Sequence, residues 1–129
     1  MILALDPGET TGVCIFKSAK EFESREIKHD LVAIGDLIKE VKPKVIVYER
    51  FVLYPAFAKH LVWDEMYTSQ VIGVIKYEGQ KLGSDLIAQS ASDKDYVVYP
   101  KNHKFKSDHE KDAYGHAWFY SKKQSSKQL

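Results

Sequence analysis

Cysteine is nearly absent. Cys14 is the single one in 129 residues, so no disulfide can form within the chain and a cysteine-rich zinc site is excluded. A lone thiol suits a reducing compartment. Long hydrophobic runs are missing too, and none approaches the roughly 20 residues a membrane helix needs. The N-terminus, Met1-Ile2-Leu3-Ala4-Leu5, meets Asp6 and Pro7 at once, without the basic and apolar regions of a secretion signal. A cytoplasmic protein with no membrane partner is expected. An excess of one charge is also lacking, since 19 basic and 18 acidic residues leave +1. Seven Gly, four Pro and 44% apolar residues exclude fibrous repeats and wholesale disorder. The length suits one domain, which should bury about two thirds of its unfolded surface and need no disulfide. We assign it residues 1–121. The Lys-, Ser- and Gln-rich stretch 122–129 reads as a frayed basic tail.

The charge is unevenly spread. Residues 1–100 hold 12 basic and 15 acidic residues, a net −3, and residues 101–129 hold seven Lys and three acids, a net +4. A basic C-terminal quarter can be a nucleic-acid footprint or only a solvated tail. Met1–Leu5 is wholly apolar and reads as a strand buried on both faces, stopped by Asp6-Pro7-Gly8. Thr11–Phe16 and Glu21–Lys28 follow as strands at hairpin spacing. Leu31, Ile34, Leu37, Ile38 and Val41 recur at helical spacing, with Asp30 as N-cap and Pro43 as stop. Lys44–Tyr48 is a second buried strand, and a helix before it predicts a parallel crossover beside the first. Residues 50–63, with Phe51, Tyr54, Pro55, Phe57 and Trp63, read as an aromatic loop. A helix from Asp64 to about Leu82, stopped by Gly83, precedes a strand over Asp85–Ala88. Ser92 and Asp95 make a capping box for a short helix, Pro100–Lys106 is a basic loop, and the last helix spans Asp108 to about Tyr120. The order β-β-β-α-β-α-β-α predicts a mixed α/β sheet.

Ligand-type side chains fall at particular places in this order. Asp6 closes one buried strand and Glu49 the other, so neighbouring parallel strands would bring both carboxylates to one edge of the sheet. Sites in open α/β sheets lie off such carboxyl ends. At the start of the last helix, His109 and Asp112 are three residues apart and Asp108 and Asp112 four apart, either spacing giving one helical face. Carboxylates converging from two strands and a helix repel unless a cation sits among them. Oxygen ligands with at most one imidazole favour Mg²⁺ or Mn²⁺. Two such ions can activate water and stabilise the leaving oxygen of a phosphodiester. Each residue also has a plainer use: Asp6 as a turn residue, Glu49 in an ion pair with Arg50, Asp108 as a helix cap, His109 as a solvated histidine.

Four motifs carry a resemblance. They are Ile2-Leu-Ala-Leu-Asp-Pro-Gly-Glu-Thr-Thr-Gly12, Val45-Ile-Val-Tyr-Glu-Arg-Phe51, Val71-Ile-Gly-Val-Ile-Lys-Tyr77 and His109-Glu-Lys-Asp-Ala-Tyr-Gly-His-Ala117. In this order, over almost the whole chain, they resemble the RuvC-like nucleases of the ribonuclease H-like superfamily, most closely the short phage type of Holliday junction resolvase. The first and last motifs are the most specific. The resemblance implies an α/β ribonuclease H-like fold, with a five-stranded mixed sheet, its first three strands antiparallel, and helices on both faces. It implies metal ligands and catalytic residues at Asp6, Glu49, His109 and Asp112. Many relatives have aspartate at the position of His109, so Asp108 is a possible substitute. It implies two divalent ions per site, Mg²⁺ or Mn²⁺, with Asp6 shared between them and Asp112 on the ion that activates water. A neutral imidazole at His109 removes one negative charge and should weaken one ion; His109 could instead act as a general base. The implied activity is hydrolysis of branched DNA to 5′-phosphate and 3′-hydroxyl ends by a homodimer, in the host cytoplasm if phage-encoded.

Gly8 and Gly12 would let the backbone approach a phosphate, with Thr10 and Thr11 as donors. Lys101, Lys104 and Lys106 would meet DNA phosphates, with Lys122, Lys123 and Lys127 adding to them. Phe51 and Tyr54 would stack on an unpaired base or else pack in the core or a dimer. His116 reads as a packing or supporting residue and Cys14 as a small buried hydrophobe. Rival readings are the same chemistry on flaps, forks or an RNA–DNA hybrid, and a non-catalytic nucleic-acid-binding module. The latter has no physical reason to gather unpaired acids. An actin-like ATPase needs two such domains, so no nucleotide cofactor is expected.

Overall fold

The structure, a computed structural model, describes residues 1–52 and 66–127. The elements are β1 (Ile2–Asp6), β2 (Thr10–Ser18), β3 (Glu21–Lys28), α1 (Leu31–Val41), β4 (Val45–Glu49), α2 (Tyr67–Leu82), β5 (Asp85–Gln89), a 3₁₀ helix (Ala91–Tyr96) and α3 (Asp108–Lys127). The strands form one sheet in the order β3-β2-β1-β4-β5. β1–β2 and β2–β3 are antiparallel, whereas β1–β4 and β4–β5 are parallel. This is the expected mixed α/β sheet, with helices on both faces.

Local chemistry sets the boundaries. Asp30 Oδ1 accepts from the Ala33 N–H at 3.0 Å and starts α1. Lys42 turns left-handed at φ 49°, and Pro43 cannot continue the helix. α2 ends at Gly83, at φ 72°. Period-two alternation sorts the strand residues. Leu3, Leu5, Val13, Ile46 and Tyr48 pack under α1 and α2 with Ile34, Ile38, Val71 and Ile75. Ala4, Cys14, Phe16 and Val47 pack under α3 with Ala113, Tyr114 and Ala117.

Three boundaries differ from expectation. The capping box of the short helix is Ser90 with Asp93, because β5 runs to Gln89 and the chain turns directly after it. β2 runs to Ser18, whose hydroxyl accepts the Lys20 and Glu21 N–H groups and closes the hairpin. α3 continues to Lys127, through most of the stretch read as a frayed tail. Its lysines and glutamine are good helix formers. Lys122 and Lys123 lie over the rings of Trp118 and Phe119 one turn earlier. The expected start of α2 at Asp64, and Tyr54, Pro55, Phe57 and Trp63, lie outside the described residues.

Candidate active site

The two central parallel strands present their carboxyl ends together. Leu5 lies beside Tyr48 in the β1–β4 register, so Asp6 and Glu49 leave the sheet as neighbours. Alternation sends both toward α3, since Ala4 and Val47, two residues earlier, belong to the core under that helix. α3 reaches this edge because Gly12, the register partner of Asp6, has no side chain. A Cβ there would lie 1.8 Å from the His109 carbonyl oxygen. The close approach of Gly12 is therefore to the first turn of α3. Asp112 follows in the next turn, and His109 Nδ1 stands 3.8 Å from Asp6 Oδ2.

Two further residues complete the cluster. Lys94, on the 3₁₀ helix, donates to Glu49 Oε1 at 3.0 Å, and its Nζ lies 3.0 Å from Asp112 Oδ2. His116, one turn beyond Asp112, is fully buried. Its Nε2 lies 3.0 Å from the same Glu49 oxygen, and its Nδ1 2.8 Å from Gln89 Oε1. Gln89 is itself the β5 neighbour of Glu49. Glu49 is thus gripped from two elements.

The charges are unequally compensated. Burial pushes the Asp6 carboxyl up to about 6, and repulsion from Glu49 and Asp112 adds to it. Glu49 is held below the usual range, first by its hydrogen bond with His116 and then, against its own burial, by Lys94. Burial works to lower Lys94, but hydrogen bonds and charge from Glu49 and Asp112 outweigh it and hold the ammonium charged. The cluster is rich in hard oxygen donors and short of positive charge.

No family model matches the sequence, and no curated protein sequence matches it. Solved structures do match. Thermus thermophilus RuvC in complex with a Holliday junction substrate superimposes with a TM-score of 0.69 at 12% identity, over 95% of this chain and 94% of that one. A second Thermus thermophilus RuvC structure gives 0.63 at 13% identity, over 95% and 96%. The fold is that of RuvC. It is a ribonuclease H-like fold, and likeness at this identity speaks for the fold alone.

Within this RuvC-like frame, Asp6, Glu49 and Asp112 come together, and His109, half exposed, stands at their edge. Asp108 is exposed and lines a groove of about 510 Å³ with Lys104, Lys106 and Lys111. Among the described residues, no three His, Cys, Asp or Glu side chains are arranged to hold a metal ion. The donors nevertheless suit a hard divalent cation, and the Lys94 ammonium stands between two of them as a cation would. Thr11 does not serve as an outward donor. It is buried, and its hydroxyl donates to the Gly8 carbonyl at 3.1 Å, inside the turn after β1. Lys101, Lys104 and Lys106 are exposed beside α3. Phe51 is exposed and lines a groove with Arg50 and Lys76, and Tyr54 lies outside the described residues. Among the described residues, no helix is long and apolar enough to cross a membrane.

Sequence reasoning missed Lys94 and Gln89. A signal was available for Gln89, since a residue ending a parallel strand beside β4 emerges at the same edge as Glu49; Lys94, five residues further on in the 3₁₀ helix, had none. It did place Asp112 and His116 one turn apart, though not the role of His116 as a brace for Glu49.

Proposed function

We propose that the chain is a divalent-metal-dependent, structure-selective DNA endonuclease that resolves four-way junctions by paired phosphodiester hydrolysis, leaving 5′-phosphate and 3′-hydroxyl ends. One observation carries the reading. Three carboxylates from β1, β4 and α3 meet at the carboxyl edge of a RuvC-like sheet, with too little positive charge to balance them. Asp6, Glu49, Asp112 and His109 would hold two ions, Mg²⁺ or Mn²⁺. When bound, such ions supply the Lewis acidity and charge stabilisation that phosphodiester hydrolysis requires.

The remaining roles belong to the chain's own residues. His116 and Gln89 hold Glu49 in place for its ion. Gly12 keeps the first turn of α3 against Asp6. Lys101, Lys104 and Lys106 neutralise backbone phosphates and orient the DNA, and Phe51 offers a face to an unpaired base at the branch point. A homodimer would set two such sites across a junction, as paired cuts require.

The test uses purified protein with a mobile four-way junction, a flap, a fork, a linear duplex and an RNA–DNA hybrid, each with Mg²⁺, Mn²⁺ or EDTA. Symmetric paired cuts in the junction are expected, lost in EDTA and reduced at least about a hundredfold in Asp6→Asn. Preference for the flap, fork or hybrid would keep the metal chemistry and discard junction resolution. Binding without cleavage of any substrate would leave a non-catalytic module.

A further inference from the structure

Lys94 reaches the acidic cluster by a built path. The 3₁₀ helix that bears it is fixed by reciprocal capping, with the Ser90 N–H donating to Asp93 Oδ2 at 3.0 Å. The lysine stem passes α3 at Gly115, between Asp112 and His116. A Cβ on Gly115 would lie 3.1 Å from Lys94 Cβ and 2.7 Å from the Tyr99 hydroxyl oxygen. A glycine inside a helix is less favourable than alanine, and here it opens the space the lysine crosses. The ammonium then sits 3.0 Å from one oxygen of Glu49 and 3.0 Å from one of Asp112.

We propose that Lys94 is a resident counter-cation of the metal site: its ammonium holds Glu49 and Asp112 when no divalent ion is bound, and it must be lifted out when one enters. The proposal rests on the reading that these two acids take a metal. It goes further in assigning the affinity of the site to a competitor that is part of the chain.

The geometry gives the competition its form. The two acids share one ammonium through charge-assisted hydrogen bonds, each stronger than a neutral one. A cation binding the same two oxygens must break both. A single positive charge is also too little for three carboxylates, because the ammonium contacts Glu49 and Asp112, whereas Asp6 has the His109 ring nitrogen 3.8 Å away. A doubly charged ion corrects that deficit and displaces the ammonium toward solvent, which its side chain, 22% exposed, already touches. Entry of the ion and release of Lys94 are one coupled step.

The experiment measures metal binding without DNA. Mn²⁺ is titrated into the full-length wild type, Lys94→Met and Asp6→Asn, and free Mn²⁺ is read by its electron paramagnetic resonance signal. Lys94→Met keeps the stem and removes the charge. It is expected to bind Mn²⁺ at least about tenfold more tightly than wild type, equivalent to about 1.4 kcal/mol, and Asp6→Asn more weakly. Equal or weaker binding by folded Lys94→Met, with wild type binding normally, would overturn the proposal and leave the metal-dependent reading standing. No Mn²⁺ binding by any form would overturn both. A measurement on wild type alone keeps the proposal exposed if Lys94→Met does not fold. Acetylation of Lys94, followed by peptide mass spectrometry, should rise when Mn²⁺ is added, relative to the exposed Lys17. An unchanged Lys94 signal at saturating Mn²⁺ would overturn the proposal.

Discussion

The two faces of the sheet are built from the same strands and differ in kind. Under α1 and α2 the contacts are aliphatic and bulky: Leu3, Leu5, Ile34, Ile38, Ile46 and Ile75 are fully buried. Under α3 the sheet offers Ala4, Cys14 and Val47, the helix answers with Ala113 and Ala117, and aromatic rings fill the rest. Small residues let α3 lie close, and closeness lets its second turn reach the strand ends. The bulky face supplies apolar burial. The close face carries Asp6, Glu49, Asp112, Lys94 and the fully buried His116, groups that burial disfavours. One residue of register would exchange the two faces.

The contrast can be broken from either side. Ile46→Ala, on the bulky face, should lower stability by about 3 kcal/mol in denaturant unfolding. Cleavage per folded molecule should stay unchanged at a temperature where the variant is folded. A proportional loss of cleavage would mean that the faces are not separable. Gly12→Ala should act on both at once. Its Cβ would meet the His109 carbonyl, so α3 must shift, at about 2–3 kcal/mol, with loss of cleavage and of Mn²⁺ affinity. Retained activity would show that the helix start is not keyed to Asp6.

Asp6→Asn should have the opposite sign on stability. The Asp6 carboxyl is pushed up to about 6 from 3.8, so the folded state binds its proton more tightly than the unfolded chain. The penalty is absent below about pH 3.8, grows as pH rises to about 6 and is complete above it. Removing the charge should therefore raise the metal-free melting temperature at pH 7.5, by the equivalent of roughly 2 kcal/mol, and change it little at pH 3.5. A variant less stable at both values would show that the carboxylate supports the fold. The smallest effect concerns Cys14. Burial pushes its thiol up to about 12, so iodoacetamide at pH 8 should leave the folded protein unmodified and label it only once unfolded.

The strands and helices were legible because their signals are local. The wholly apolar runs Met1–Leu5 and Val45–Tyr48, the helical spacing of Leu31 to Val41, and Asp30, Pro43 and Gly83 as boundaries follow from neighbouring residues alone. The parallel pairing of β1 with β4 followed from the intervening helix, and it brought Asp6 and Glu49 to one edge. What escaped depends on residues distant in sequence. Lys94 reads as one charge among many until β5 places it beside Glu49. Gly12 reads as a turn or phosphate-binding glycine until α3, nearly a hundred residues later, lies across it. Thr11 reads as a free donor until its hydroxyl is seen to close the turn at Gly8. The helical end of α3 was obscured by composition, since lysine, serine and glutamine suit a tail as well as an exposed helix.

The close seat of α3 also has a consequence for biosynthesis. The sheet and the two helices on its aliphatic face are encoded before residue 90, so they emerge from the ribosome and can associate while α3 is still inside the exit tunnel. During that interval Asp6 and Glu49 stand without Asp112 or His116, and Ala4, Cys14, Phe16 and Val47 form a bare apolar floor. A nascent chain of this kind is open to aggregation until its last helix arrives. Until then it lacks the third carboxylate, so a DNA-cutting centre of the kind proposed would be assembled only once α3 has emerged and docked on the sheet.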